Sequence, residues 1–217
     1  MSTPPILRVD PRDRAQLDRI ATHLEEGGLL GYPTETVYGF GAEVTSRGIR
    51  AVRKLKGRGE AKPFLVLVPD RGSEGTARLD WTPSALALSD AVWPGPLTLV
   101  LRDPGASYPN GVRSAEGGVA VRVSSDPFVT AFMRRWRRPL LSTSANRAGD
   151  PPAGSAGAVR RLSRGGGADR LWIVDGGPRP EGEPSTIVDC TGPVPRLLRE
   201  GALPLSRLLE VERELVH

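Results

Sequence analysis

Short apolar runs of strand length alternate along this chain with segments of helical period, which predicts a layered α/β domain built on a largely buried sheet. Two observations sharpen that expectation. The strand candidates are continuously apolar, as in sheets covered on both faces, and irregular Gly-, Pro- and Ser-rich segments follow several of them, where open α/β folds place ligands. The 217 residues contain no long flexible linker, so residues 1–217 are expected to form one domain.

Asp10 and Pro11 open a first helix with Leu17, Ile20, Ala21 and Leu24 on one face, and Gly27 and Gly28 stop it. Leu29–Tyr32 reads as a strand, followed by the turn-forming Pro33 and a hydroxyl-rich stretch through Gly41. Ser46 caps a second helix, with Ile49, Val52 and Leu55 inward and its end near Gly57. Phe64–Val68 is a strand, a helix opens at Pro83, and Leu97–Leu101 and Val119–Val123 are strands. Asp126 and Pro127 open a further helix, and Pro139–Ser142, Leu171–Val174 and Ser185–Asp189 complete a set of six or seven strands. The stretch 102–118 has no period and is long enough to act as a lid or site wall, and a second irregular stretch spans 146–157.

The inventory excludes several chemistries. His23 and His217 are the only histidines, so neither a Ser-His-Asp triad nor a histidine-based metal site is expected. Cys190, the single cysteine, lies in an apolar run and reads as a structural thiol. No lysine follows the glycine pattern of a Walker loop, and no Gly-x-Gly-x-x-Gly follows a strand. No stretch approaches the roughly 20 apolar residues of a membrane span, and the N-terminus lacks a signal-peptide pattern, so a soluble cytoplasmic protein is expected. A net charge of +5 favours an anionic partner such as a nucleotide or RNA, although a high arginine content alone produces the same balance.

Two polar clusters remain. All three lysines, Lys54, Lys56 and Lys62, fall within nine residues, whereas the rest of the 30 basic residues are arginine. An ammonium is a compact point charge and a guanidinium a planar fork, so lysines kept against such a bias point to an anion pocket for carboxylate or phosphate. The first cluster joins Thr34, Glu35, Thr36 and Tyr38 to Lys56, Arg58 and Lys62. The second, Ser142-Thr143-Ser144-Ala145-Asn146, follows an apolar strand and offers hydroxyls and loop amides to phosphate oxygens or a purine edge. Alone, the second cluster also fits an ST-turn capping the strand; together the two point to one site.

Pro33-Thr34-Glu35-Thr36-Val37-Tyr38-Gly39 with downstream Lys56-x-Arg58, Trp93-Pro94-Gly95-Pro96-Leu97-Thr98, Val121-Arg122-Val123, Ser144-x-Asn146 and Ser185-Thr186 resemble, in order, the motifs of the YrdC-like threonylcarbamoyl-adenylate synthases. The resemblance runs from about Ala21 to Gly201. It implies a twisted mixed parallel and antiparallel sheet flanked by helices, a core over about 12–201, a C-terminal helix after 203, and the short form without a further C-terminal domain. It implies condensation of L-threonine, bicarbonate and ATP into threonylcarbamoyl-AMP and pyrophosphate, with Mg²⁺ accompanying ATP. A downstream tRNA threonylcarbamoyl-transfer complex would use the product.

By the same resemblance, Lys56 and Arg58 act in catalysis and, with Lys62, Ser144, Asn146 and Arg199, hold ATP. Thr34, Arg122, Ser142 and Ser185 take threonine and its carbamate. Arg122 also fits a strand-end salt bridge. Glu35, a lysine or water is left as the acceptor of threonine's proton. Gly59, Phe40 and Arg113 depart from the family pattern, which bears on lid geometry.

Two alternatives stand beside this reading. Arg134-Arg135-Trp136-Arg137-Arg138 interleaves a ring with guanidinium groups, as in an RNA-binding protein without adenylate chemistry, and it also offers a weak tRNA contact to an enzyme. The reading preferred for these residues is a helix end whose cations complement the dipole, with Trp136 packed inward. A related carbamoyl-transfer domain acting on another acceptor is the other alternative.

Overall fold

The computed structural model describes residues 3–57, 62–163, 168–179 and 182–216. Among these residues ten strands form one sheet. Their spatial order is β1 (Ile6–Leu7), β8 (Leu171–Val174), β2 (Leu29–Tyr32), β3 (Gly39–Glu43), β7 (Leu140–Ser144), β4 (Leu65–Leu67), β6 (Gly118–Arg122), β5 (Leu97–Arg102), β9 (Thr186–Asp189) and β10 (Arg196–Arg199). The pairs β1–β8, β2–β8, β4–β6 and β5–β9 are parallel and the other five antiparallel, so the sheet is mixed.

Alternation along each strand sends neighbouring side chains to opposite faces. Leu29, Val66, Val68 and Leu141 enter a core shared with α2 (Ser46–Lys56), α3 (Pro83–Val92) and α5 (Ala156–Leu162). Leu30, Leu67 and Leu140 enter a second core under α1 (Arg14–Glu25) and α4 (Pro127–Trp136). The strand residues in this second core come from β8, β2, β7 and β4. The same face beyond them, toward β6, β5 and β9, carries Ala120, Arg122, Thr98 and Ile187, which line a cavity.

Several boundaries differ from the sequence reading. Asp13, whose carboxylate accepts from Gln16 N, caps α1, whereas Asp10 forms a preceding turn by accepting from Arg12 N. Thr45 caps α2, one residue before the expected Ser46. β1, β3 and β10 were not foreseen: β1 is too short for a pattern, three of the five β3 positions are Gly or Ala, and β10 is largely exposed. β7 continues to Ser144 rather than ending at Ser142, and α5 occupies part of the stretch read as irregular. The helix after 203 is α6 (Leu205–Leu209), anchored by buried Leu208.

The stretch 102–118 is irregular but tied down. The Asp103 carboxylate accepts from Ser107 N, Ser107 Oγ and Tyr108 N, Tyr108 donates its hydroxyl to Gly75 O, and Gly111 O accepts from Phe64 N. None of residues 103–117 lines the cavity, so the expected lid or wall is instead a brace behind it.

Candidate functional site

Lys56 ends α2, where Ile49, Val52 and Leu55 turn inward and Gly57, at φ +61°, closes the helix in the left-handed region. The side chain is 5% exposed. Its Nζ donates toward Asn146 Oδ1 at 2.6 Å, Ser144 O at 2.7 Å, Ser144 Oγ at 3.0 Å and Thr143 Oγ1 at 3.1 Å. An ammonium buried to this degree is tolerated only with its protons satisfied, and converging acceptors around one point suit lysine better than an arginine fork. Ser144 Oγ also donates to Asn146 Oδ1, and Asn146 Nδ2 donates to Asp150 O, which fixes the amide. The cationic helix end and the hydroxyl-bearing strand end are thus in direct contact.

From Ser144 a cavity of about 200 Å³ opens across the sheet. Its walls are set by strand register. Ser142 lies between Gly41 of β3 and Leu65 of β4, and Ser144 lies opposite Gly39. Those two glycines let the Tyr32 ring cross β3, since a Cβ at Gly41 would stand 2.8 Å from Tyr32 Cε1, and Tyr32 Oη meets Ser142 Oγ at 2.6 Å. Burial pushes the Tyr32 phenol far above its ordinary range, so it remains a neutral partner.

Thr34 and Thr36 stand on the turn between β2 and β3. Thr34 Oγ1 donates to Val37 O at 2.6 Å and accepts from Thr36 N and Val37 N, an ST-turn that fixes the loop. On the opposite wall Ser185 Oγ meets Thr98 Oγ1 at 2.8 Å, and Arg199 donates from Nε and Nη2 to Ser185 O. Gly201 closes this wall, for its N–H donates to Thr186 Oγ1 and a Cβ there would stand 2.1 Å from Pro184 O.

Arg122, 4% exposed, lies on the cavity floor. Its Nη2 pairs with Glu35 Oε1 at 2.7 Å, and its Nε donates to Gly95 O, which gives the Trp93–Thr98 motif a task in orienting the guanidinium. Burial alone would raise the Glu35 carboxyl, but the Arg122 charge and the hydrogen bond from Ser124 Oγ outweigh it and hold the group below its ordinary value. Glu35 is therefore an ionised anchor and a poor proton acceptor. The Arg199 guanidinium is lowered by burial and by the neighbouring Arg122 charge, and two cations sharing one cavity favour an anion between them.

Of the residues expected from sequence, Thr34, Arg122, Ser142, Ser144, Ser185 and Arg199 line the cavity, and Lys56 and Asn146 join it through Ser144. Lys62 is exposed and outside the lining, although Pro63 and Phe64 beside it belong to it. Arg58 lies outside the described residues, as does Gly59. Sequence reasoning missed Arg179, which donates from Nε to Thr34 O and from Nη1 to Gly176 O, and pairs through Nη2 with Asp126 Oδ2 at 2.6 Å. It sits in a Gly- and Pro-rich loop that carries no periodic signal. Tyr32 was read only as a strand residue, and Thr98 as a strand residue that closes the Trp93–Thr98 motif.

The arginine-rich end of α4 is occupied structurally. Arg135 pairs with Asp18, Arg138 pairs with Glu25 and Glu43 and stacks 4.0 Å from the Trp136 ring, and Trp136 is buried. Cys190 is buried with its thiol pushed up to about 12, and His23 packs against Trp172. Among the described residues no group of three or more His, Cys, Asp or Glu could hold a metal ion, and no helix is long and apolar enough to cross a membrane.

Comparison with known proteins supplies the remaining evidence. The Sua5–YciO–YrdC family model, described as telomere recombination, matches residues 22–201. A threonylcarbamoyl-AMP synthase of Pyrococcus abyssi is 32% identical over 212 residues, 97% of this chain and 61% of that protein. Another, from Nitrosococcus oceani, is 36% identical over 164 residues, 75% of this chain and 86% of its own length. The crystal structure of P. abyssi Sua5 complexed with L-threonine superposes with a TM-score of 0.87 at 30% identity, covering 100% of this chain and 63% of that one. This chain thus spans about three fifths of the archaeal protein's length.

Proposed function

Because the chain belongs to the Sua5–YciO–YrdC family, we propose that it is an L-threonylcarbamoyladenylate synthase, with residues 1–217 acting as one catalytic unit. The observation that carries the reading is the contact of Lys56 with Ser144 and Asn146 at the mouth of a cavity floored by Arg122. A cation, a hydroxyl strand and an arginine-lined amino-acid pocket then surround one reacting centre.

The substrates are L-threonine, bicarbonate and ATP. Threonine's amine adds to the carbon of bicarbonate with loss of water, a carbamate oxygen then attacks the α-phosphorus, and the P–O bond to pyrophosphate breaks with its electron pair. All the reacting partners are anionic, so positioned cations lower the barrier by removing repulsion as they converge. Lys56 and Arg58 serve that end, with Ser144 and Asn146 beside the nucleotide. Arg122 and Ser185 take the threonine side, Ser142 borders the carbamate, and Arg199 serves the nucleotide. Thr34 contributes the shape of its turn, since its hydroxyl is already engaged. Lys62 is a second-line cation whose exposure leaves it free to meet phosphate.

Glu35, held ionised by Arg122, positions that guanidinium, and the proton of the amine passes to water. Mg²⁺ enters as the companion of the nucleotide's phosphates and therefore as part of the substrate; the described residues offer no cluster to hold it and no step is assigned to it. The product would serve threonylcarbamoyl transfer to a tRNA adenosine in the cytoplasm. The test is incubation with ATP, Mg²⁺, bicarbonate and individual amino acids, following pyrophosphate and the acylated nucleotide. Product that depends on threonine and bicarbonate together supports the reading; pyrophosphate release indifferent to either overturns it.

A further inference from the structure

Ser142 lines the reaction cavity, and the fully buried Tyr32 stands behind it without lining it. Their oxygens lie 2.6 Å apart, and among the described residues neither has another hydrogen-bond partner. Two protons are therefore available to one contact, and burial decides which is used. Were Ser142 to donate, the phenol proton would be stranded in the core, whereas a donating phenol leaves the serine proton with the cavity to turn to. The phenol is also the more acidic hydroxyl of the two, hence the better donor. Burial keeps it protonated despite the nearby Arg122 charge, so the donor persists at neutral pH. Neighbouring hydroxyls are spent inside the protein, for Thr34 Oγ1 donates to Val37 O and Ser144 Oγ to Asn146 Oδ1. Ser142 differs from them in keeping a proton that the fold turns toward the cavity.

We propose that Tyr32 is a positioning residue: by donating to Ser142 Oγ it fixes that hydroxyl as a donor into the cavity, aimed at an anionic oxygen of the carbamate. The inference rests on the reaction assigned above. A serine free to rotate offers an anion its proton for part of the time and its lone pairs for the rest, and the lone pairs repel it. Engaging a lone pair from behind removes unproductive orientations before the anion arrives, so no reorganisation is left for the reaction itself. The two hydrogen bonds in series polarise one another, which makes the serine proton a better donor as charge gathers on the carbamate. Gly39 and Gly41 serve the same arrangement, since a Cβ at either would crowd the Tyr32 ring.

The test is a double-mutant cycle on turnover of the whole chain with ATP, Mg²⁺, bicarbonate and L-threonine, using Tyr32→Phe, Ser142→Ala and the pair. Tyr32→Phe keeps the ring and is expected to lower kcat about tenfold with KM for threonine within about twofold, because an oriented donor acts on charge that forms after the amino acid has bound. In the Ser142→Ala background the same change is expected to alter kcat less than about twofold, for no hydroxyl remains to orient. An equal loss in both backgrounds makes Tyr32 a packing residue and overturns the proposal, as does a Tyr32→Phe variant that turns over like the parent. The direction of the hydrogen bond is read without turnover, from the Tyr32 hydroxyl proton in NMR spectra. That resonance is expected to exchange slowly in the parent, to vanish in Tyr32→Phe and to move upfield in Ser142→Ala; a resonance unmoved in Ser142→Ala also overturns the proposal. Absence of threonylcarbamoyl-AMP from the parent is failure of the assigned reaction instead, and the resonance then decides the orientation of Ser142 by itself.

Discussion

Lys56 shows at the residue scale how a side chain proposed to act on the nucleotide also holds the fold together. Its ammonium satisfies acceptors on Thr143, Ser144 and Asn146 inside the protein, so removing the charge strands them. Lys56→Met keeps the volume and is expected to cost about 2 kcal/mol, the scale of buried acceptors left unsatisfied, and to lower product formation at least 100-fold. Lys56→Arg keeps the charge and is expected to lose activity nearly as far. Thermal melts and pyrophosphate release measure the two effects. Glu35 supplies a pH prediction. Its folded pKa lies below the ordinary 4.5, so the unfolded chain binds the proton more readily. The Glu35–Arg122 pair therefore stabilises fully above pH 4.5, and that contribution is lost as pH falls through the lower folded value. Asp126, raised above its ordinary 3.8 by burial, acts in the opposite sense and is common to parent and variant. Glu35→Gln is expected to melt lower than the parent at pH 7, with the gap narrowing as pH falls below 4.5, as calorimetry would record. A gap constant across that range would remove Glu35 from the acid response.

At the scale of elements, β3 gives the clearest lesson. The Gly39-Phe40-Gly41 run carries no strand signal, yet the missing side chains are what let Tyr32 reach Ser142. Gly41→Val adds atoms 2.8 Å from the ring and is expected to destabilise by about 1–3 kcal/mol through overpacking, whereas Tyr32→Phe, which frees only the Ser142 hydroxyl, is expected to cost about 1 kcal/mol. Chemical denaturation of the two variants checks the order. The strands with bulky apolar runs and the helices with caps were legible because burial and capping write themselves into local sequence. Thr34, Ser142 and Ser144 were legible as candidates because short polar residues beside apolar strands stand out, whereas Arg122 entered only through the resemblance of its motif. Arg179 was not, because its partners at Thr34, Asp126 and Gly176 are distant in sequence and meet only in the fold. Arg179→Gln is expected to raise KM for threonine about tenfold with KM for ATP within twofold, and Arg179→Lys to recover part of the loss. Equal changes in both constants would make the residue a general stabiliser instead.

Across the whole molecule, the site belongs to a single sheet face that α1 and α4 leave uncovered, and its residues span Thr34 to Arg199. No local pattern reports which half of a face stays open, which is why the layered class was legible and the cavity's place was not. L-threonine at about 100 times its dissociation constant is expected to stabilise the native state by about 2.7 kcal/mol and raise the midpoint by about 5–10 °C in a thermal-shift assay. Arg122→Ala should abolish the shift; a shift that survives would place the amino acid elsewhere.

The alternation that supplies the lining has one further effect. Arg122 neighbours Val121, Ser142 neighbours Leu141, and Thr98 stands between Leu97 and Leu99, all of them buried core residues. The mould proposed for the amino acid is thus cast against the close-packed core. Such a mould rejects bulkier amino acids by steric exclusion, but against serine, which is smaller by one methyl, it has only that group's contacts to offer, a preference of about 10- to 200-fold.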